Sequence, residues 1–307
     1  MKRLLFIGCI SFLFVFAVTF SGCKGCNNSE ENLKIPKNLP VTTEQPSPKN
    51  EQVIDNIVNS FPSPVEISAI IKNLDIPFSK RYLADPGIIE NYDTNNKKAF
   101  GLGVLSADLG YLNVYEETTL IVEYLSAIKR LADDLRVGQF IDFQSLKRLA
   151  TSNDNMDSLI FLSLTSFTNI NQFLQNNHRG NLSLLMVTGV WLESLYLMTQ
   201  VYKYHPDKRL RDLIGDQKTL FTMLYKAIKL YNVGYFKVLG QEFDKLNSVF
   251  SKITITYEKV NVPKERADTN GIPVYEQQET SVVHITDAQV KQLINITQQV
   301  RNKLINL

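Results

Sequence analysis

Between Glu116 and Arg136, apolar residues recur at Ile121, Tyr124, Leu125, Ile128, Leu131, Ala132 and Leu135, the i, i+3, i+4, i+7 spacing of one helix face. Glu123, Lys129, Arg130, Asp133 and Asp134 fall on the other face, and Gly138 is the expected stop. The pattern predicts further helices over Lys97 to Val114, Phe143 to Thr151, Gln217 to Asn232 and Tyr235 to about Ser251, with a short one near Pro86. An earlier helix opens at Ser63-Pro64-Val65-Glu66, which supplies an N-cap, a first-turn proline and an acid three residues on, and runs to about Leu74. Thr286 and Gln289 form a capping box for a last helix reaching Asn306.

Two stretches break the amphipathic rule. Ser158 to Asn177 carries no charge, and Leu182 to Tyr202 carries only Glu193. Helices apolar most of the way round belong at the centre of a bundle or in a membrane. Ser183, Thr188, Ser194, Thr199 and Gln200 make the second a poor lipid-facing span, so both are expected as central bundle helices. Ile253 to Glu258 alternates with period two and Ser281 to Ile285 is β-branched, with a long polar loop holding Pro263, Gly271 and Pro273 between them. A peripheral β-hairpin is expected, although the first part also fits a continuation of the preceding helix. No repeat of 30–45 residues is present. The fold class is therefore all-α: a single multi-helix bundle with two central apolar helices and a small hairpin near the C-terminus.

The first residues read differently. Lys2 and Arg3 precede an uncharged apolar run from Leu4 to Phe20, followed by Ser21-Gly22-Cys23. Small residues before a cysteine suit signal peptidase II, although Phe20 stands where Leu is usual. Residues 1–22 are thus expected as a lipoprotein signal peptide, 23–60 as lipidated Cys23 and a tether, and 61–307 as the helical domain. Two alternatives stay open: ordinary secretion, or an uncleaved anchor whose apolar run of about 26 Å falls short of a bilayer core. The polar tether is punctuated by Pro36, Pro40, Pro46 and Pro48, and its Ser29-Glu30-Glu31 patch reads as solvated chain.

Processing changes the charge. The signal takes Lys2 and Arg3 and no acid with it, so 33 basic residues fall to 31, matching the 31 acidic ones. A neutral balance argues against a nucleic-acid surface. Of three cysteines, Cys9 lies in the signal, Cys23 takes lipid, and Cys26 sits in the tether. The domain has no cysteine, so it must rely on its core.

Chemistry is sparse. His178, His205 and His284 lack a second His or Cys at ligand spacing and read as surface or capping residues. No metalloprotease, nucleophile-elbow, P-loop or calcium-loop motif occurs, and no cofactor is implied. Gly101-Leu102-Gly103 lies within a helical pattern, where Gly103 and Gly110 share a face suited to a close crossing. Asp108, alone among apolar residues, and Glu193 carry the most information, because a buried carboxylate either finds a partner or takes up a proton. Arg148, Lys147, Arg130 and Arg179 are candidate partners, and Tyr111, Tyr115 and Tyr196 candidate donors. A buried polar network fixing helix register is one reading. A ligand pocket lined by Asp108, Tyr111, Trp191 and Glu193 is another, and carboxylate catalysis a third.

The segments Gly103-Val104-Leu105-Ser106-Ala107-Asp108-Leu109-Gly110-Tyr111, Gly138-Gln139-Phe140-Ile141-Asp142-Phe143 and Thr188-Gly189-Val190-Trp191-Leu192-Glu193 resemble those of a family of mostly α-helical lipoproteins from Bacteroidetes-type bacteria. The resemblance covers roughly Phe61 to the C-terminus. It implies export and an all-α fold, carries no assigned activity, and transfers no functional residue. The expectation is a membrane-anchored envelope lipoprotein with a non-enzymatic binding or assembly role, partnered by the membrane through its lipid and by an envelope protein or small solute. The alternative is a periplasmic solute-binding protein with a pocket between the central helices; a carboxylate-dependent hydrolase comes third. Lys24 after the lipid site favours the outer membrane.

Overall fold

The computed structural model describes residues 68, 71–73, 75–151, 156–231, 234–267 and 273–307. The expected signal, Cys23, the tether and the Ser63-Pro64-Glu66 helix start lie outside them. The described chain is mostly helical. It comprises α1 (Asn95–Val114), α2 (Thr118–Asp134), α3 (Phe143–Thr151), α4 (Met156–Asn176), α5 (Gly180–Tyr204), α6 (Lys208–Lys229), α7 (Gly234–Phe250), strands β1 (Thr254–Ala267) and β2 (Pro273–His284), and α8 (Asp287–Ile305). Short 3-10 turns cover Lys80–Tyr82, Pro86–Asn91 and Gly138–Phe140.

Local chemistry sets the ends. Asp207 accepts the Arg209 N–H at 2.7 Å to open α6, and Thr286 with Gln289 forms the expected capping box of α8. Three helices stop without glycine. Glu116, Arg136 and His178 take left-handed φ values of 60°, 59° and 56°. The following N–H groups of Glu117, Val137 and Arg179 then reach back to Leu112, Ala132 and Leu174 carbonyls at 3.1, 2.8 and 2.7 Å. Arg136, not Gly138, therefore ends α2. Helix α6 begins nine residues before its expected start at Gln217. The charged Lys208-Arg209-Leu210-Arg211-Asp212 turn and Gly215 hid its apolar stripe, in which Leu210, Ile214, Phe221 and Leu224 are buried.

Helix α5 is the centre. It is long and apolar enough to cross a membrane, yet the whole of that apolar stretch is buried within the protein. Its closest neighbour is α1. A Cβ at Gly103 would run into the Met186 carbonyl, and one at Gly189 into the Phe100 carbonyl, so paired glycines bring the two backbones together. Of the two glycines on that face of α1, Gly103 lies in this crossing, whereas Gly110 lines a cavity. Helices α8, α6 and α7 pack on the other sides of α5 and on one another.

Helix α4 is not central. It buries Leu159, Ser166, Ile170 and Leu174 but exposes Phe161, Leu164, Thr165, Thr168, Asn169 and Gln172. Lack of charge did not mean burial here, because Thr, Asn and Gln remain compatible with water. The hairpin is also longer than expected: Thr254 pairs with His284 and the antiparallel ladder continues to Ala267 opposite Pro273, with an irregularity between Val260 and Lys264. Most of the expected polar loop is thus strand, and β1 does not prolong α7. A ribbon pairs through its backbone, so polar residues need not interrupt it. Its base rests on α6, where Gly215 makes room for Val283 and Ile285.

Candidate functional site

Two acids and one base meet where α1, α5 and α8 pack. Glu193 on α5 and Asp108 on α1 are each fully buried, and Arg301 on α8 is 6% exposed. Arg301 grips Glu193 with both ends of its fork, Nη2 to Oε1 at 2.6 Å and Nε to Oε2 at 2.8 Å. The guanidinium lies 4.4 Å from the centroid of the Tyr196 ring. Burial acts to lower the Arg301 pKa, but the Glu193 charge and hydrogen bonds outweigh it, so the cation is held firmly.

Asp108 is the third member. Its Oδ2 accepts the Ala84 N–H at 2.9 Å, and Tyr124 donates to the Ala84 carbonyl. Burial, then the Glu193 charge, holds the Asp108 carboxyl well above the usual carboxylate range. One cation between two acids neutralises only one of them. The raised pKa favours the neutral form of Asp108, whose Oδ1 has no hydrogen-bond partner. Nearby, Tyr92 is buried with its hydroxyl unpartnered, and burial followed by the Glu193 charge raises its pKa.

Of the residues singled out in the sequence, the structure brings Asp108, Glu193 and, beneath Arg301, Tyr196 to one place. Arg148 is exposed on α3, where it adds a little to the lowering of the Asp142 pKa that hydrogen bonds from Ser145 chiefly cause. Arg130 pairs with Glu90, and Arg179 donates to the Leu135 carbonyl at 2.9 Å. Tyr111 accepts the Ser79 N–H at 3.2 Å and packs on Phe78 and Tyr115. Trp191 lies about 200° around α5 from Glu193. Its ring joins Phe221, Phe243 and Phe250, and its Nε1 donates to Gln217 at 3.1 Å. A single pocket lined by Asp108, Tyr111, Trp191 and Glu193 is therefore not what forms. Arg301 went unrecognised, although a signal existed. It continues the apolar stripe Val290, Leu293, Ile294, Thr297, Val300, Leu304, where a cation needs a buried anion. Buried Glu242, held by Lys245 and Lys303 at 2.6 Å each, was missed for the same reason.

A cavity of about 60 Å³ lies elsewhere, among α1, α2, α3, α4 and α5. Its walls are mostly apolar: Leu102, Leu109, Ile128, Ile141, Leu146, Leu159, Phe167, Ile170 and Met186. Ser106, Asn113, Ser163 and Ser166 supply its polar atoms, and no ionisable side chain lines it. Asn113 is 6% exposed, and its Oδ1 receives no hydrogen bond. Among the described residues no group of three His, Cys, Asp or Glu side chains is placed to hold a metal. No protein-family model, no curated protein and no solved structure matches the chain.

Proposed function

We propose that the chain is an exported lipoprotein, anchored in a membrane through lipid on Cys23, whose helical domain binds a small apolar solute without transforming it. The observation that carries this reading is the cavity beneath α4, apolar, free of ionisable groups and holding an unpartnered buried amide oxygen. Such a site binds by shape and desolvation with a few polar contacts. The buried charges support the same reading, because Glu193 and Arg301 satisfy each other and, with Asp108, lie apart from the cavity lining. The resemblance to helical lipoproteins bears on the anchor and leaves the solute open. A second reading, docking of an envelope protein, is favoured by the uncharged outer face of α4, where Phe161 is 71% and Leu164 37% exposed.

Xenon fits cavities of this size and apolar character. Xenon binding should shift ¹²⁹Xe resonances with the unaltered chain. Ser166→Leu should fill the cavity, abolish that shift and raise the thermal midpoint, equivalent to about 0.5–2 kcal/mol. Unchanged xenon binding in Ser166→Leu would place the binding elsewhere. For the anchor, Cys23→Ala should accumulate as precursor without labelled palmitate; undiminished label in that variant would exclude Cys23 as the acceptor.

A further inference from the structure

Two of the four polar side chains of the cavity present acceptors. Asn113 Oδ1 is an acceptor with no donor. Ser106 also lines the space and gives its proton to the Leu102 carbonyl at 2.7 Å, which leaves only its lone pairs for a guest. A buried acceptor left without a donor is costly, so a guest that brings a hydroxyl proton gains more than one that brings none. An anionic guest would face these acceptors with no cation to offset its desolvation. A cationic guest would find no carboxylate. The surrounding Leu, Ile, Phe and Met side chains favour an aliphatic body.

Size narrows the class further. Space of about 60 Å³ holds a polar head and roughly two or three carbons, since benzene occupies cavities of about 150 Å³. The cavity opens at one side, so a longer chain continues along its mouth. We propose that the cavity is a binding site for neutral, unbranched aliphatic alcohols, with the ligand hydroxyl donating to Asn113 Oδ1 and the first carbons packed between α1, α4 and α5. The proposal rests on the solute-binding reading above and specifies its ligand class.

Met186 lines the site, so its ¹³C-methyl resonance, assigned among the five methionines by its loss in Met186→Leu, reports on it. Three probes would be titrated into the full chain: 1-hexanol, its isomer 1-methoxypentane, which lacks a donor, and hexanoate at pH 8. 1-Hexanol should shift the Met186 methyl saturably and bind about tenfold more tightly than the ether, the usual effect of one neutral hydrogen bond. Hexanoate should leave the signal unmoved. In Asn113→Leu the alcohol and the ether should bind alike; if that variant misfolds, the comparison of isomers on the unaltered chain still decides. Equal binding of the two isomers by the unaltered chain, or hexanoate binding as tight as the alcohol, would overturn the ligand class and leave solute binding standing. A Met186 methyl that none of the probes moves would overturn both.

Discussion

At the scale of single residues, the contact with most leverage is the Glu193–Arg301 pair, because both partners are buried and Asp108 beside them is a spare acid. Asp108 has a folded pKa raised above its unfolded value of about 3.9. Its contribution is therefore fully present below about pH 4 and is lost as pH rises through the folded value, by up to about 1.4 kcal/mol per pH unit. Asp108→Asn mimics the neutral acid, so urea midpoints of this variant should match the wild type at about pH 3.5 and exceed it increasingly as pH rises to 9. A loss of about 2 kcal/mol or more at pH 9 would mean that Asp108 works as an anion. Glu193→Gln strands Arg301 at a cost of about 3–5 kcal/mol. Asp108 can then ionise and take over, so the loss should shrink as pH rises, opposite to the wild-type trend. Adding Asp108→Asn should remove that recovery; a double variant that recovers equally would contradict the coupling of the two acids through Arg301.

At the scale of elements, α5 and α4 are both poor in charge but differ in exposure. Helix α5 is enclosed on all sides, whereas α4 exposes one face and roofs the cavity with the other. Amide hydrogens of α4 should exchange at least about 100-fold faster than those of α5, a difference near 2.7 kcal/mol in opening free energy. Equal protection would show that α4 is as firmly packed as the centre. The same pair shows what was legible in the sequence. Period and capping located α1, α2, α3 and α8 closely, since amphipathic spacing and the Thr286–Gln289 box act within one element. Depth within the bundle was not legible for α4, because it depends on which neighbours pack there. The start of α6 was obscured by charge in its first turn, and the length of the ribbon by polar residues that backbone pairing tolerates.

At the scale of the whole molecule, the candidate site was legible in half. Asp108 and Glu193 stood out as lone charges on apolar helices, but their cation lies 108 residues beyond Glu193 in the chain, and nothing in local pattern assigns Arg301 to one acid over another. The cavity was not legible at all. It is assembled from side chains of α1 to α5 whose individual patterns are those of ordinary core residues. What joins these parts is the proposal that the uncharged cavity, set apart from the buried charges, takes a guest. Native mass spectrometry of the full chain, purified gently from cells that produce it, tests that claim most directly. The account expects a near-stoichiometric adduct of a small neutral molecule, released on denaturation and absent from Ser166→Leu. Unaltered chain and Ser166→Leu both carrying no adduct, or both carrying the same one, would contradict it.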